Sequence, residues 1–168
     1  MIRNDISLGL GAAQSYTRWT ITPQDLQSMT GSGPKTVVLP RNPSQPGQIQ
    51  VTPTLQFQVP QGGKIMAYLV HVVTAFAGGS LSALSMSIGK QGGSSIYIST
   101  PIDIFTAGGD TVVTEGGPVN SAQQSAWGVT LTFTPTTDLV SAVTGGQVDL
   151  YLLYINGTNS LVAGGSNV

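Results

Sequence analysis

Residues 127–134 read Trp-Gly-Val-Thr-Leu-Thr-Phe-Thr. Trp127, Val129, Leu131 and Phe133 take alternate positions, and three of the residues between them are threonines. In an extended chain successive side chains point to opposite faces, so this run has one apolar side and one wet side; a helix would scatter the same residues around its circumference. Leu84, Met86 and Ile88 alternate with Ser85 and Ser87 in the same way, and Leu55, Phe57 and Val59 alternate with Gln56 and Gln58. Twenty-two Gly and ten Pro break the chain into short runs of this kind, with further strands expected at 17–21, 35–39, 94–99, 102–105 and 111–114. The pattern predicts an all-β fold, a sandwich with one face of each strand in the core.

Two runs are apolar on both sides. In Val148–Ile155, Val148, Leu150, Leu152 and Tyr154 form a core face, while Asp149, Tyr151, Leu153 and Ile155 lie opposite. In Lys64–Phe76, strict alternation puts Ile65, Ala67, Leu69 and Val73 on one side and Met66, Tyr68, Val70, Val72 and Phe76 on the other. A central strand or a subunit interface accounts for such a pattern, because monomers rarely leave a contiguous apolar patch of more than a few hundred Å² in water. Self-association through Met66, Tyr68, Val70, Val72, Tyr151 and Leu153, giving a homo-oligomer, is the expectation drawn from it.

Helix signals are few, and at most one or two short helices are expected. Thr22-Pro23-Gln24-Asp25 has a capping residue, a proline at the first helical position and an acid at capping-box spacing, with Gly31 as the stop. Pro34, Pro40, Pro43, Pro46 and Pro53 make 31–53 read as an extended connection. The length of 168 residues fits one domain. The expected division is an N-terminal arm at 1–16, a sandwich at 17–155 and a polar tail at 156–168.

Only 8% of the residues are Asp, Glu, Lys or Arg, where an ordinary soluble domain carries about 25%. Hydroxyls, amides and apolar atoms must therefore coat the surface. Burying these needs only hydrogen-bond partners, whereas burying charge is costly, so the composition suits a chain packed against copies of itself or a larger assembly. The net charge of −1 supplies no general attraction to nucleic acid or anionic membranes. The few charges are nonetheless uneven. Arg3, Arg18, Lys35, Arg41 and Lys64 outnumber Asp5 and Asp25 up to residue 64, and beyond it Asp103, Asp110, Glu115, Asp138 and Asp149 face only Lys90. Head-to-tail contact between copies, docking on an acidic partner and chance scatter all fit that asymmetry.

The chain has no cysteine, which excludes disulfides and thiolate chemistry. His71 is the single histidine, too few for a zinc site. It is read as a core or interface side chain and not as the base of a triad, since no Gly-x-Ser-x-Gly elbow accompanies it. Asp103, Asp110 and Glu115 match no calcium loop and are read as solubilising turns. No enzyme, cofactor or metal is expected. Trp127 is assigned to the core, and Trp19 to an interface. Neither a secretory h-region nor a run of about 20 apolar residues is present, so synthesis in a cytoplasm without membrane insertion is expected. The Asn156-Gly157-Thr158 sequon is accordingly not expected to carry sugar.

The order of pieces also carries a resemblance: Trp19-Thr20-Ile21-Thr22-Pro23-Gln24-Asp25-Leu26, Val59-Pro60-Gln61-Gly62-Gly63-Lys64-Ile65, Thr74-Ala75-Phe76-Ala77-Gly78-Gly79-Ser80, a strand ending Ser87-Ile88-Gly89, then Leu139–Gly146 and Val148–Tyr154. Over about residues 16–155 this resembles small β-sandwich virion proteins of tailed bacteriophages. The resemblance implies a jelly-roll-like sandwich, often trimeric, acting as a head decoration or cement protein on a major capsid protein. Similar modules occur in neck, tail and fibre parts, where host-glycan recognition is the alternative function. On this reading Ile2, Arg3, Ile6, Leu8 and Leu10 of the arm, with Arg18 and Trp19, dock on the shell.

Overall fold

The structure is a computed structural model that describes residues 14–40, 57–59, 64–91, 101–106, 108–114 and 127–155. Nine strands carry nearly all of it. They are β1 (Gln14–Ile21), β2 (Lys35–Val38), β3 (Gln58–Val59), β4 (Lys64–Ala77), β5 (Ala83–Lys90), β6 (Ile102–Asp103), β7 (Gly109–Thr114), β8 (Trp127–Thr136) and β9 (Gly145–Ile155). One sheet runs β1-β9-β4-β7 and the other β2-β8-β5-β6, with β3 also paired to β8.

Leaving aside the two-residue β3, the strands form nested antiparallel partners: β1 with β9, β2 with β8, β4 with β7 and β5 with β6. Contacts of β9 with β4 and of β8 with β5 then join these pairs into two layers. Eight strands wound in this order form a jelly roll. The all-β sandwich expected from alternation is therefore the fold, and its two sheets share one core.

That core obeys the period-two pattern. Val129, Leu131 and Phe133 of β8, Leu84, Met86 and Ile88 of β5, and Val148, Leu150, Leu152 and Tyr154 of β9 are all buried. The side chain of Trp127 is not among those described. Trp19 is in the core, 1% exposed, with its ring edge-on to Phe57 at 5.0 Å and Phe57 in turn edge-on to Tyr154 at 5.4 Å. The indole N–H donates to the Pro40 carbonyl at 3.0 Å, so its one polar atom is satisfied where it lies. Trp19 is thus a core residue and not the interface anchor expected from its position in the sequence.

β4 departs from strict alternation. Register shifts fall between Ile65 and Ala67 and again after Val72; a bulge adds a residue and turns the residues after it to the other face. Ile65 therefore joins Tyr68, Val70, Val72 and Phe76 inside the core. This corrects the assignment of Tyr68, Val70 and Val72 to a self-association surface, because they point between the sheets. The side chain of Met66 is not among those described. What β4 turns outward is Ala67, Leu69, His71 and Val73.

A short helix, α1 (Pro23–Gln27), comes directly after β1. Its Asp25 carboxylate accepts from the Thr22 N–H and hydroxyl at 2.8 and 2.9 Å, the reciprocal half of a capping box. The helix ends at Ser28, before Gly31, and buries Asp25 and Leu26; Met29 just beyond it is buried too. Gln27 ties it to the Val143 carbonyl at 2.7 Å, beside a 3₁₀ turn at Val140–Ala142 that the sequence did not signal. β9 begins next to this turn at Gly145. A Cβ on Gly146, whose φ is 124°, would lie 2.6 Å from the Phe76 Cα, so only glycine lets β9 cross β4 so closely.

The front of the proline-rich segment holds the strand expected at 35–39, β2, with Val37 and Leu39 fully buried, so this part of 31–53 is packed structure and not an extended connection. β1 reaches back to Gln14, so the arm boundary expected at residue 16 falls inside a strand. The strand expected at 94–99, Leu55, the rest of the arm, residues 41–53 and the tail from 156 lie outside the described residues. No described helix is long and apolar enough to cross a membrane.

Candidate functional site

Each sheet turns one face to the core and one outward, and the two outward faces differ in chemistry. On the β1-β9-β4-β7 sheet the strand register sets Thr20, Asp149, His71 and Asp110 in one row across all four strands. Arg18, Tyr151 and Leu69 form the row beside it, and Leu153 and Ala67 the next. Long and apolar side chains therefore stand next to a polar row.

Asp149 is unusual for an outward residue, being only 3% exposed. Arg18 covers it, with a guanidinium nitrogen 2.5 Å from one carboxylate oxygen. The Thr20 hydroxyl donates to the other oxygen at 2.8 Å. The same guanidinium lies over the Tyr151 ring, 5.6 Å from its centroid. A half-buried charge pair braced by a hydroxyl and an aromatic face is rigid, because each group restricts the others. Arg18 Nε is buried with no hydrogen-bond partner among the described residues.

Farther along the row, His71 Nδ1 and Asp110 Oδ1 are bonded, both in exposed positions. His71 is therefore outside the core, on the interface side of the two roles expected for it. No hydroxyl nucleophile is bonded to it among the described residues, and the one described hydroxyl in its row, Thr20, is committed to Asp149. Among the described residues no three His, Cys, Asp or Glu side chains are grouped to hold a metal ion.

The outward face of the β2-β8-β5-β6 sheet is made of short hydroxyls. Thr36, Thr132 and Ser87 share one row, and Thr134, Ser85 and Asp103 another. The Thr36 and Thr132 hydroxyls bond each other at 2.8 Å. Asp103 sits at the edge, its carboxylate accepting from the Phe105 and Thr106 N–H groups at 2.8 and 3.2 Å. Hydrogen bonds from the Thr106 hydroxyl and the Phe105 N–H hold its pKa below the ordinary 3.8.

One more carboxylate is structural. Asp138 accepts from the Ser80 N–H and the Leu139 N–H, both at 2.8 Å, which lowers its pKa and staples the β4–β5 turn to the end of β8. Of the three carboxylates read from the sequence as turn residues, Asp103 lies at a turn and holds it, Asp110 instead lies in β7 bonded to His71, and Glu115 lies outside the described residues; Asp138, which the sequence did not single out, holds a turn as well.

Of the docking and association residues expected from the sequence, the structure brings Arg18, Tyr151 and Leu153 together on one face. It sends Trp19, Tyr68, Val70 and Val72 into the core. Ile2, Arg3, Ile6, Leu8 and Leu10 lie outside the described residues. Sequence reasoning missed the Arg18–Asp149 pair, whose members are 131 positions apart. The available signal was an aspartate at an outward position of an otherwise apolar strand. No protein-family model, curated protein or solved structure matches this chain.

Proposed function

We propose that this chain is a non-enzymatic structural protein of a tailed-phage virion, a decoration or cement protein that docks on the major capsid protein and stabilises the head shell. The observation that supports this best is the outward face of the β1-β9-β4-β7 sheet, where Leu69, Tyr151 and Leu153 lie in the rows next to a braced Arg18–Asp149 pair. Arg and Tyr are favoured at the centres of protein interfaces, and a pre-organised pair loses little entropy when covered. Jelly rolls recur in viral capsid proteins and in lectins, so the fold alone does not choose between them. The surface chemistry favours the first. A sugar-binding site needs an open aromatic platform, and Tyr151, the one aromatic side chain described on either outer face, has Arg18 over its ring. The arm precedes β1 on this same sheet, and Ile2, Arg3, Ile6, Leu8 and Leu10 extend the contact in this proposal.

Copy number in purified particles tests it. Many copies distributed over the head are expected, together with saturable binding of the purified protein to heads assembled without it. A few copies confined to the tail would replace this reading with a neck, tail or fibre role. Complete absence from particles would remove the virion reading altogether.

A further inference from the structure

The polar row on the outward face of the first sheet holds two carboxylates in opposite situations. Asp149 is covered and its charge is balanced, because Arg18 and Thr20 leave its side chain only 4% exposed. Asp110 is bonded to His71 but stays in water, the imidazole 44% and the carboxylate 62% exposed. His71 is the register partner of Asp149 on one side and of Asp110 on the other, so it stands between the two. Leu69 and Tyr151 occupy the next row. The His71–Asp110 pair therefore borders the apolar part of the face.

His71 is the chain's single histidine, and imidazole is the side chain that ordinarily changes charge between about pH 5 and 8. The groups that face it come from three strands. β7 contributes Asp110. β9 contributes Asp149, whose two oxygens are held by Arg18 and Thr20, and Tyr151, which lies beneath the guanidinium. β1 contributes Arg18 itself, and the neighbours of His71 along β4, Leu69 and Val73, carry no charge. An ionised carboxylate can only accept, so Nδ1 of His71 carries the hydrogen of the bond to Asp110 and a further proton enters at Nε2. The bond thus survives in both states and only the charge changes. Because Arg18 and Asp149 cancel, a neutral His71 leaves this part of the face with the uncompensated charge of Asp110, whereas an imidazolium leaves it balanced.

In water that difference matters little. A partner that covers Leu69 and Tyr151 also takes water from the neighbouring pair, and an unbalanced carboxylate is costly to desolvate, whereas a hydrogen-bonded ion pair compensates its own charge. We propose that His71 makes docking of this face pH-dependent: the docked state takes up a proton at Nε2, and binding tightens as pH falls through the range in which imidazole titrates. The sign follows from linkage, since the state that holds more protons is favoured at lower pH. The inference rests on the docking role proposed above and adds a control to it.

Calorimetric titration of the full chain into heads assembled without it tests this at about pH 7.5 and pH 5.5, on either side of the ordinary imidazole range. Titration of the heads themselves persists in His71→Gln, so the difference between the two chains is what counts. Relative to His71→Gln, the wild type should gain about tenfold in affinity at the lower pH. Its binding heat near neutral pH should also vary with the ionisation heat of the buffer, the mark of proton uptake, and that of His71→Gln should not. Asp110→Asn removes the charge that needs balancing, so it should bind tightly already at the higher pH and gain nothing at the lower. A wild type and a His71→Gln chain with the same pH dependence would overturn the inference and leave the virion reading standing, as would an Asp110→Asn chain as pH-sensitive as wild type. Failure of every chain to bind heads at either pH would remove the virion reading and this inference with it.

Discussion

The two outer faces of this sandwich come from the same architecture and the same kind of strand, yet they suit different surroundings. The β2-β8-β5-β6 face is a lattice of Thr36, Thr132, Thr134, Ser85 and Ser87. Its short side chains lose little rotamer freedom, offer water a hydroxyl at each position and give a partner almost no area to grip. The β1-β9-β4-β7 face carries Leu69, Tyr151, Leu153 and a braced charge pair, whose larger side chains gain from being covered. A chain with few charges can therefore stay soluble on one side with hydroxyls alone and keep the other side for contact. Charge at the first face is spent on fixing geometry, since Asp149 is almost fully covered by Arg18 and Thr20.

Substitutions beneath or within the first face should cost far more than substitutions on the second. Gly146→Ala should be the most damaging, lowering unfolding free energy by about 2–4 kcal/mol in urea titrations, because a Cβ there meets Phe76 at a positive φ. Arg18→Ala comes next, at about 1.5–3 kcal/mol, since it strips a covered carboxylate of its ionic partner. Combining it with Asp149→Asn should cost less than the sum of the two. A loss under about 0.5 kcal/mol for Arg18→Ala would mean that the pair is ornamental and that the two faces differ little in rigidity. Thr132→Ala on the hydroxyl face should stay within about 0.5 kcal/mol despite losing the Thr36 bond.

The smallest effect belongs to the turn carboxylates, which lie off the first face. Asp103 and Asp138 have folded pKa values lowered from 3.8 by hydrogen bonds to the ionised form. Their contribution to stability is therefore complete above the unfolded value and disappears as pH falls through the lower folded one. Stability measured against pH should drop slightly below about pH 4, and Asp138→Asn should flatten that drop. An acid response unchanged by Asp138→Asn would show that the staple does not depend on charge.

Strand faces were legible in the sequence wherever alternation was unbroken, as at Leu84–Ile88, Val129–Phe133 and Val148–Tyr154. They were illegible where a bulge intervened. The shift between Ile65 and Ala67 moved Ile65 into the core, and nothing in a run apolar on both sides shows which face is inward. Trp19 looked like an anchor because its neighbours Arg18 and Thr20 are polar, but that is the pattern of a half-buried strand with Trp19 on the inner side. The nested pairing and the row from Thr20 to Asp110 join residues far apart in the chain. Local periodicity carries no information about such neighbours.

Under the virion role proposed above, binding to heads assembled without this protein, measured for two full-length variants, tests the division of labour most directly. One variant carries Leu69→Lys and Leu153→Lys on the first face, and the other carries Ser87→Lys and Thr132→Lys on the second. Both add the same charge to a folded sandwich, so nonspecific electrostatics cancel. The first should bind on the order of a hundredfold more weakly than wild type, as desolvating a lysine at a packed interface requires, and the second within about threefold of it. Equal binding by both variants, or loss confined to the second, would contradict the account.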